Sequence, residues 1–216
     1  MSEALYNNEL KLNKQLKKII DLNMDAMEFF RRSSGQWKSQ RTTHHLPFRR
    51  SETGQSQIQV ETLPVDHPMV PEICALHNED PSGAIGGAHV SWDGSMSWDK
   101  QDENHQGSTV FVLVPEPGNP QKGTLLRERG YAEIVPVAGN YYIDGENALV
   151  LVTEYETMSI FERFWFVNPN TRMRTSTVQR FGGFSTATFC VESRIDPQAD
   201  SQSSADSTSF YALSGW

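Results

Sequence analysis

The chain has 216 residues, of which 37% are hydrophobic and 21% charged, and a formal net charge of -8. That composition belongs to a soluble globular protein and holds no run of the roughly 20 apolar residues that a membrane-spanning helix requires. The acidic surplus argues against a general nucleic-acid binder, whose phosphate-facing surface is basic.

The first candidate element is an amphipathic helix, with Leu12, Leu16, Ile19 and Ile20 on one side and Lys11, Lys14, Lys17 and Lys18 between them. Residues 1–23 are read as an extension. It is either a cap or frayed arm, or a membrane-surface or partner-binding element. Asp25 to Arg32 continues helically, with Arg31-Arg32 suited to the negative helix end and Gly35 as the stop. No secretory signal follows Met1. Cys74 and Cys190 are far apart in sequence, neither sits in a Cys-x-x-Cys pair, and two thiols cannot staple a chain of this size as a secreted scaffold, so a reducing compartment is expected.

From Trp37 onward the pattern changes to short β-rich runs separated by Gly, Pro, Asn and Asp. Runs near 36–50, 55–63, 86–92, 95–100, 107–115, 123–127, 130–142, 147–157, 159–168, 171–180 and 183–194 merge into nine or ten strands. Pro68 to His77 interrupts them as a short helix, expected to plug one end. The last four runs are joined by very short turns and are therefore antiparallel neighbours. The fold class expected is all-β, a closed antiparallel barrel of about ten strands with an N-terminal α-helix, able to hold a small ligand. Three regions follow: an extension over 1–23, a barrel domain over 24–195, and a disordered Ser- and Asp-rich tail over 196–216.

Gly35 to Arg50 places Arg41, His44, His45, Arg49 and Arg50 in a strand-length segment, which suits an anionic guest. Adjacent histidines cannot both face inward. A bulge near Thr42-Thr43 would bring Arg41 and His44 to one side. Trp92 and Trp98 bracket an Asp93-Gly94 pair that favours a tight turn, either as core plugs or as an aromatic wall for a flat conjugated ligand. Glu162 shares a strand face with Phe164 and Phe166, so it is either ion-paired or a proton donor and acceptor. Arg172 and Arg174 share one face of the next strand and can pair with Glu162 or hold ligand carboxylates. Arg127 and Arg129 are a second arginine pair, placed at a solvated end. Metal-ligand spacing, a phosphate loop and a nucleophile triad are not apparent.

The segments MDAMEFFRRSSGQWKSQRTTHHLPFRR, VSWDGSMSWD, RERGYAEIVPV, LVTEYETMSIFERFWF and RMRTSTVQRFGGFSTATFC resemble those of the S-type phycobiliprotein lyases, over about residues 24–194. The resemblance implies a lipocalin-like barrel. It also implies attachment of phycocyanobilin or phycoerythrobilin through a thioether to a cysteine of a phycocyanin, allophycocyanin or phycoerythrin subunit. A non-covalent bilin carrier is the alternative. Carried over residue by residue, His44 and Glu162 are catalytic, and Arg41, Trp92, Trp98, Arg172 and Arg174 bind the bilin. The bilin is substrate, and neither cofactor nor metal is expected. A homo- or heterodimer is possible. The compartment implied is the cytoplasm of a cyanobacterium or the plastid stroma or lumen of an alga.

Overall fold

The computed structural model describes residues 24–96, 105–128 and 136–195. The expected extension helix, the expected tail, Trp98 and Arg129 lie outside the described residues. Helix α1 (Ala26–Ser33) begins where Asp25 accepts the Glu28 N–H at 2.8 Å, satisfying one of the free donors of its first turn.

Ten strands follow: β1 (Gly35–His45), β2 (Arg50–Leu63), β3 (Gly87–Met96), β4 (Gly107–Glu116), β5 (Asn119–Arg127), β6 (Val137–Ile143), β7 (Leu149–Glu154), β8 (Met158–Asn168), β9 (Thr171–Arg180) and β10 (Gly183–Arg194). Each pairs antiparallel with the next, and β10 pairs with β1 to close the barrel. The expected barrel is therefore what the chain forms. The expected break between the runs 86–92 and 95–100 is absent: β3 continues from Gly87 to Met96, Asp93 pairs with Gln57 and Gly94 with Ser56, and the tight Asp93-Gly94 turn is not made, while 97–100 lie outside the described residues. Glycine serves there as a point of close approach, since a Cβ on Gly94 would sit 2.9 Å from the Gln55 carbonyl oxygen and from the Ser56 Cβ.

Alternation along each strand separates interior from exterior. Met24, just before α1, and the α1 residues Ala26, Met27, Phe29 and Phe30 enter one end of the barrel and pack on Phe111, Leu113, Leu125, Tyr141, Leu149 and Leu151. Burying each phenylalanine contributes about 1.5–3 kcal/mol. The second helix, α2 (Met69–Leu76), is not the expected plug. Its Val70, Ile73 and Cys74 pack on Val110, Val112 and Leu126, which point away from the interior residues Phe111, Leu113 and Leu125, so α2 sheathes the outer wall. The barrel is closed by α1 at one end; the turns 46–49, 155–157 and 181–182 lie at the other, here called the mouth.

Trp37, fully buried, locks α1 to the barrel. Its indole N–H donates to the Ser33 carbonyl at 2.7 Å, and the Arg194 guanidinium lies 4.3 Å from the ring centroid while donating to the carbonyls of Arg32 and Ser34. Those carbonyls end a helix and carry its negative dipole, which the arginine complements.

Candidate functional site

Above the α1 floor lies a cavity of about 370 Å³, within the usual range for small-ligand sites. Phe29 and Phe30 form its base, and Phe111, Phe164, Val90, Ile58, Leu151 and Trp92 form apolar walls. Arg41, Arg172, Arg174, Glu162 and Glu192 project into this mostly apolar space from β1, β8, β9 and β10.

The charged groups form a connected network. Arg172 Nε donates to Glu192 Oε2 at 2.6 Å, and Arg174 lies 3.9 Å from Glu192 and 3.5 Å from Glu162. Arg127 approaches the other Glu162 oxygen at 3.8 Å. Aromatic faces carry the guanidinium planes: Arg172 sits 4.8 Å from the Trp37 centroid, Arg174 5.6 Å from Phe164, and Arg127 5.0 Å from Phe111. Burial pushes the Arg172 guanidinium below its ordinary value, against the pull of Glu192. Among the described residues, four guanidinium groups, those of Arg41, Arg127, Arg172 and Arg174, thus stand around two carboxylates, Glu162 and Glu192.

Five of the seven residues singled out in the sequence, Arg41, Trp92, Glu162, Arg172 and Arg174, meet at this cavity. Glu162 is buried and flanked by two arginines, and Arg174 takes both suggested positions, beside Glu162 and open to the cavity. His44 is on the other side of the wall. Register between β1 and both neighbours is unbroken from Trp37 to His45, so no bulge forms at Thr42-Thr43, and strict alternation turns His44 to the exposed outer face. His45 is the inward histidine, 3.2 Å from the buried carboxylate of Glu52.

Two members of the network were not anticipated. Arg127, placed at a solvated end by its neighbouring Glu128-Arg129-Gly130, is 1% exposed, because β5 runs on through it with Leu125 and Arg127 on the inner face. Glu192 is 0% exposed and faces Arg172 across the β9–β10 ladder. Its signal was the same as that of Glu162, a carboxylate in step with interior positions, here Cys190.

A family model described as "CpeS-like protein" matches residues 25–195, the whole barrel. The chain belongs to the CpeS-like family. It is similar to the phycocyanobilin lyase subunit CpcS of Picosynechococcus sp., at 61% identity over 193 residues, covering 89% of this chain and 98% of that protein. It is also similar to chromophore lyase CpcS/CpeS 2 of Synechocystis sp., at 62% identity covering 89% of this chain and all of its relative. Among solved structures it resembles the S-type phycobiliprotein lyase CPES of Guillardia theta, at 33% identity and TM-score 0.71, covering 82% of this chain and 96% of that one. Among the described residues of this CpeS-like chain, no helix is long and apolar enough to cross a membrane, and no three His, Cys, Asp or Glu residues are grouped to hold a metal ion.

Proposed function

We propose that the chain is a phycobiliprotein chromophore lyase, which binds phycocyanobilin or phycoerythrobilin in its barrel and promotes thioether attachment to a cysteine of a phycocyanin, allophycocyanin or phycoerythrin subunit. The observation that carries this reading is the cluster of guanidinium groups, Arg41, Arg172 and Arg174, set within aromatic walls. An open-chain tetrapyrrole is flat, conjugated and carries two propionates, so its charge and shape complement the cavity.

In this reading Arg41 and Arg174, on either side of Cys190 in the barrel ladder, hold the propionates with Arg172 beneath them. Trp92 stacks on the rings, and Trp98 belongs with it. The Glu162 carboxylate, flanked by Arg127 and Arg174, accepts hydrogen bonds from pyrrole N–H groups and exchanges protons with the ring system. Attachment is an addition: a C–S bond forms at the ethylidene carbon of ring A, the tetrapyrrole takes up the thiol proton, and nothing leaves. The protein needs no nucleophile of its own and works by holding the reactive carbon before one thiol. His44, outside the cavity, acts at the step that involves the acceptor.

Co-expression of the chain with a bilin-forming pathway and an apo-phycobiliprotein subunit tests this. The expected result is more acceptor modified, with one absorbing product. The same yield and the same product mixture without the chain would refute it, and bilin uptake with no gain in attachment would leave only a carrier.

A further inference from the structure

Four strands adjacent in the barrel, β9, β10, β1 and β2, end at the mouth in two turns, Leu46–Phe48 followed by Arg49, and Phe181-Gly182. The turns are neighbours, since His45 at the end of β1 pairs with Thr186 near the start of β10. Between them they expose Leu46, Phe48 (74%), Phe181 (106%) and Phe184 (58%). The backbone holds these rings outward: Arg49 adopts φ 50°, and Gly182 and Gly183 adopt φ 99° and 119°, a sequence of left-handed residues that only a glycine pair accepts readily. Arg49, Arg50 and Arg180 are exposed on the same lip and form no ion pair among the described residues, although the chain as a whole carries -8. Clustered exposed aromatics ringed by unneutralised arginines are the composition of a protein-binding surface.

We propose that this lip is where the acceptor subunit docks, and that it takes an apolar, acidic protein surface surrounding the acceptor cysteine. The inference rests on the lyase reading and adds the partner's place to it. The cavity fixes the direction of approach: α1 closes the far end, so a thiol must reach the bilin through the mouth that this lip borders. Charge fixes the partner's chemistry, because Arg49, Arg50 and Arg180 attract acidic groups and repel basic ones. His44 lies on the outer face of β1, one residue from the lip, where an acceptor can touch it.

The test uses the full chain loaded with phycocyanobilin, and whichever apo-subunit of phycocyanin, allophycocyanin or phycoerythrin the wild type modifies. Two double variants are compared, F48S/F181S and R49E/R50E, all four sites being exposed positions whose loss leaves the barrel core untouched. The expected result is an unchanged bound-bilin spectrum and affinity, a half-saturating acceptor concentration raised by at least about tenfold, and a maximal rate within a few-fold of wild type. Added salt weakens acceptor binding by the wild type more than by R49E/R50E. Variants that transfer like wild type overturn the proposal, as does loss of bilin binding. Variants that lose only sedimentation with anionic lipid vesicles also overturn it, and make the lip a membrane contact. A wild type that modifies no subunit sinks the lyase reading and this inference with it, whereas a lip that proves irrelevant leaves the lyase reading standing.

Discussion

Arg172 and Glu192 face each other across the β9–β10 ladder, joined by a 2.6 Å hydrogen bond and sealed from solvent on both sides. Removing one partner strands the other charge in a low-dielectric interior, which costs about 3–5 kcal/mol, whereas replacing both by apolar residues of similar volume costs far less. Urea unfolding of Glu192→Ala is expected to show a loss of that order, and R172M/E192L to recover most of it. A single variant within about 1 kcal/mol of wild type would mean that the pair does not hold the wall together.

Glu162 contributes a negative charge between two arginines. Glu162→Gln removes a carboxylate that lies beside Arg127 and Arg174, so affinity for a dianionic bilin is expected to hold or rise. Loss of the proton-exchanging group lowers transfer by about 10²–10⁴-fold and moves the absorption band of the bound bilin. Absorption titration together with single-turnover transfer separates the two effects. Full-rate transfer by Glu162→Gln would remove the carboxylate from the mechanism.

Arg174 touches Glu162, Glu192 and the Cys190 sulfur, and forms one side of the cavity. A charge-assisted bond from it to a propionate is worth about 1.5–3 kcal/mol, so Arg174→Gln is expected to weaken bilin binding by about 10–100-fold. Lysine is expected to restore only part, because it lacks the planar fork. His44→Ala is expected to leave bilin affinity within about twofold, since its side chain lies beyond hydrogen-bond reach on the far side of the wall. Isothermal titration with phycocyanobilin measures both.

The closed antiparallel barrel was legible because turn residues recur between β-rich runs, and because the last four runs leave almost no room for a crossover. Arg172 and Arg174 were legible from spacing alone, two apart on a strand. Glu192 was not. A two-residue turn at Phe181-Gly182 pairs Arg180 with Gly183 and by simple count sets Arg172 against Val191. The irregularity between Phe184 and Thr186 shifts the ladder by one and brings Glu192 opposite instead. His44 illustrates the converse: a bulge was invoked to turn it inward, and β1 contains none. Arg127 escaped because a charged residue at a strand end ordinarily marks solvent. This one spends its charge on Glu162 and its plane on Phe111.

Asp144 organises the β6–β7 turn, accepting the backbone N–H groups of Glu146 and Ala148 and the Arg163 Nε–H at 2.7 Å. Burial alone would raise its carboxyl, but Arg163 and the two backbone donors outweigh burial and hold it below its ordinary value. A lowered folded-state value means stabilisation that is full above the unfolded value of about 3.9 and disappears as pH falls through the folded one. Asp144→Asn is therefore expected to cost about 1–2 kcal/mol at neutral pH, and wild type and variant to converge as acid protonates the folded carboxyl. Unfolding followed at several pH values checks this, and a pH-independent gap would contradict it.

Closure of β10 onto β1 has a further consequence. Every strand of the wall already has two backbone partners, so no visiting chain can join the sheet by main-chain pairing. In the proposed reading, recognition of an acceptor therefore falls to side chains and turns, which can vary while the wall and its cavity stay as they are.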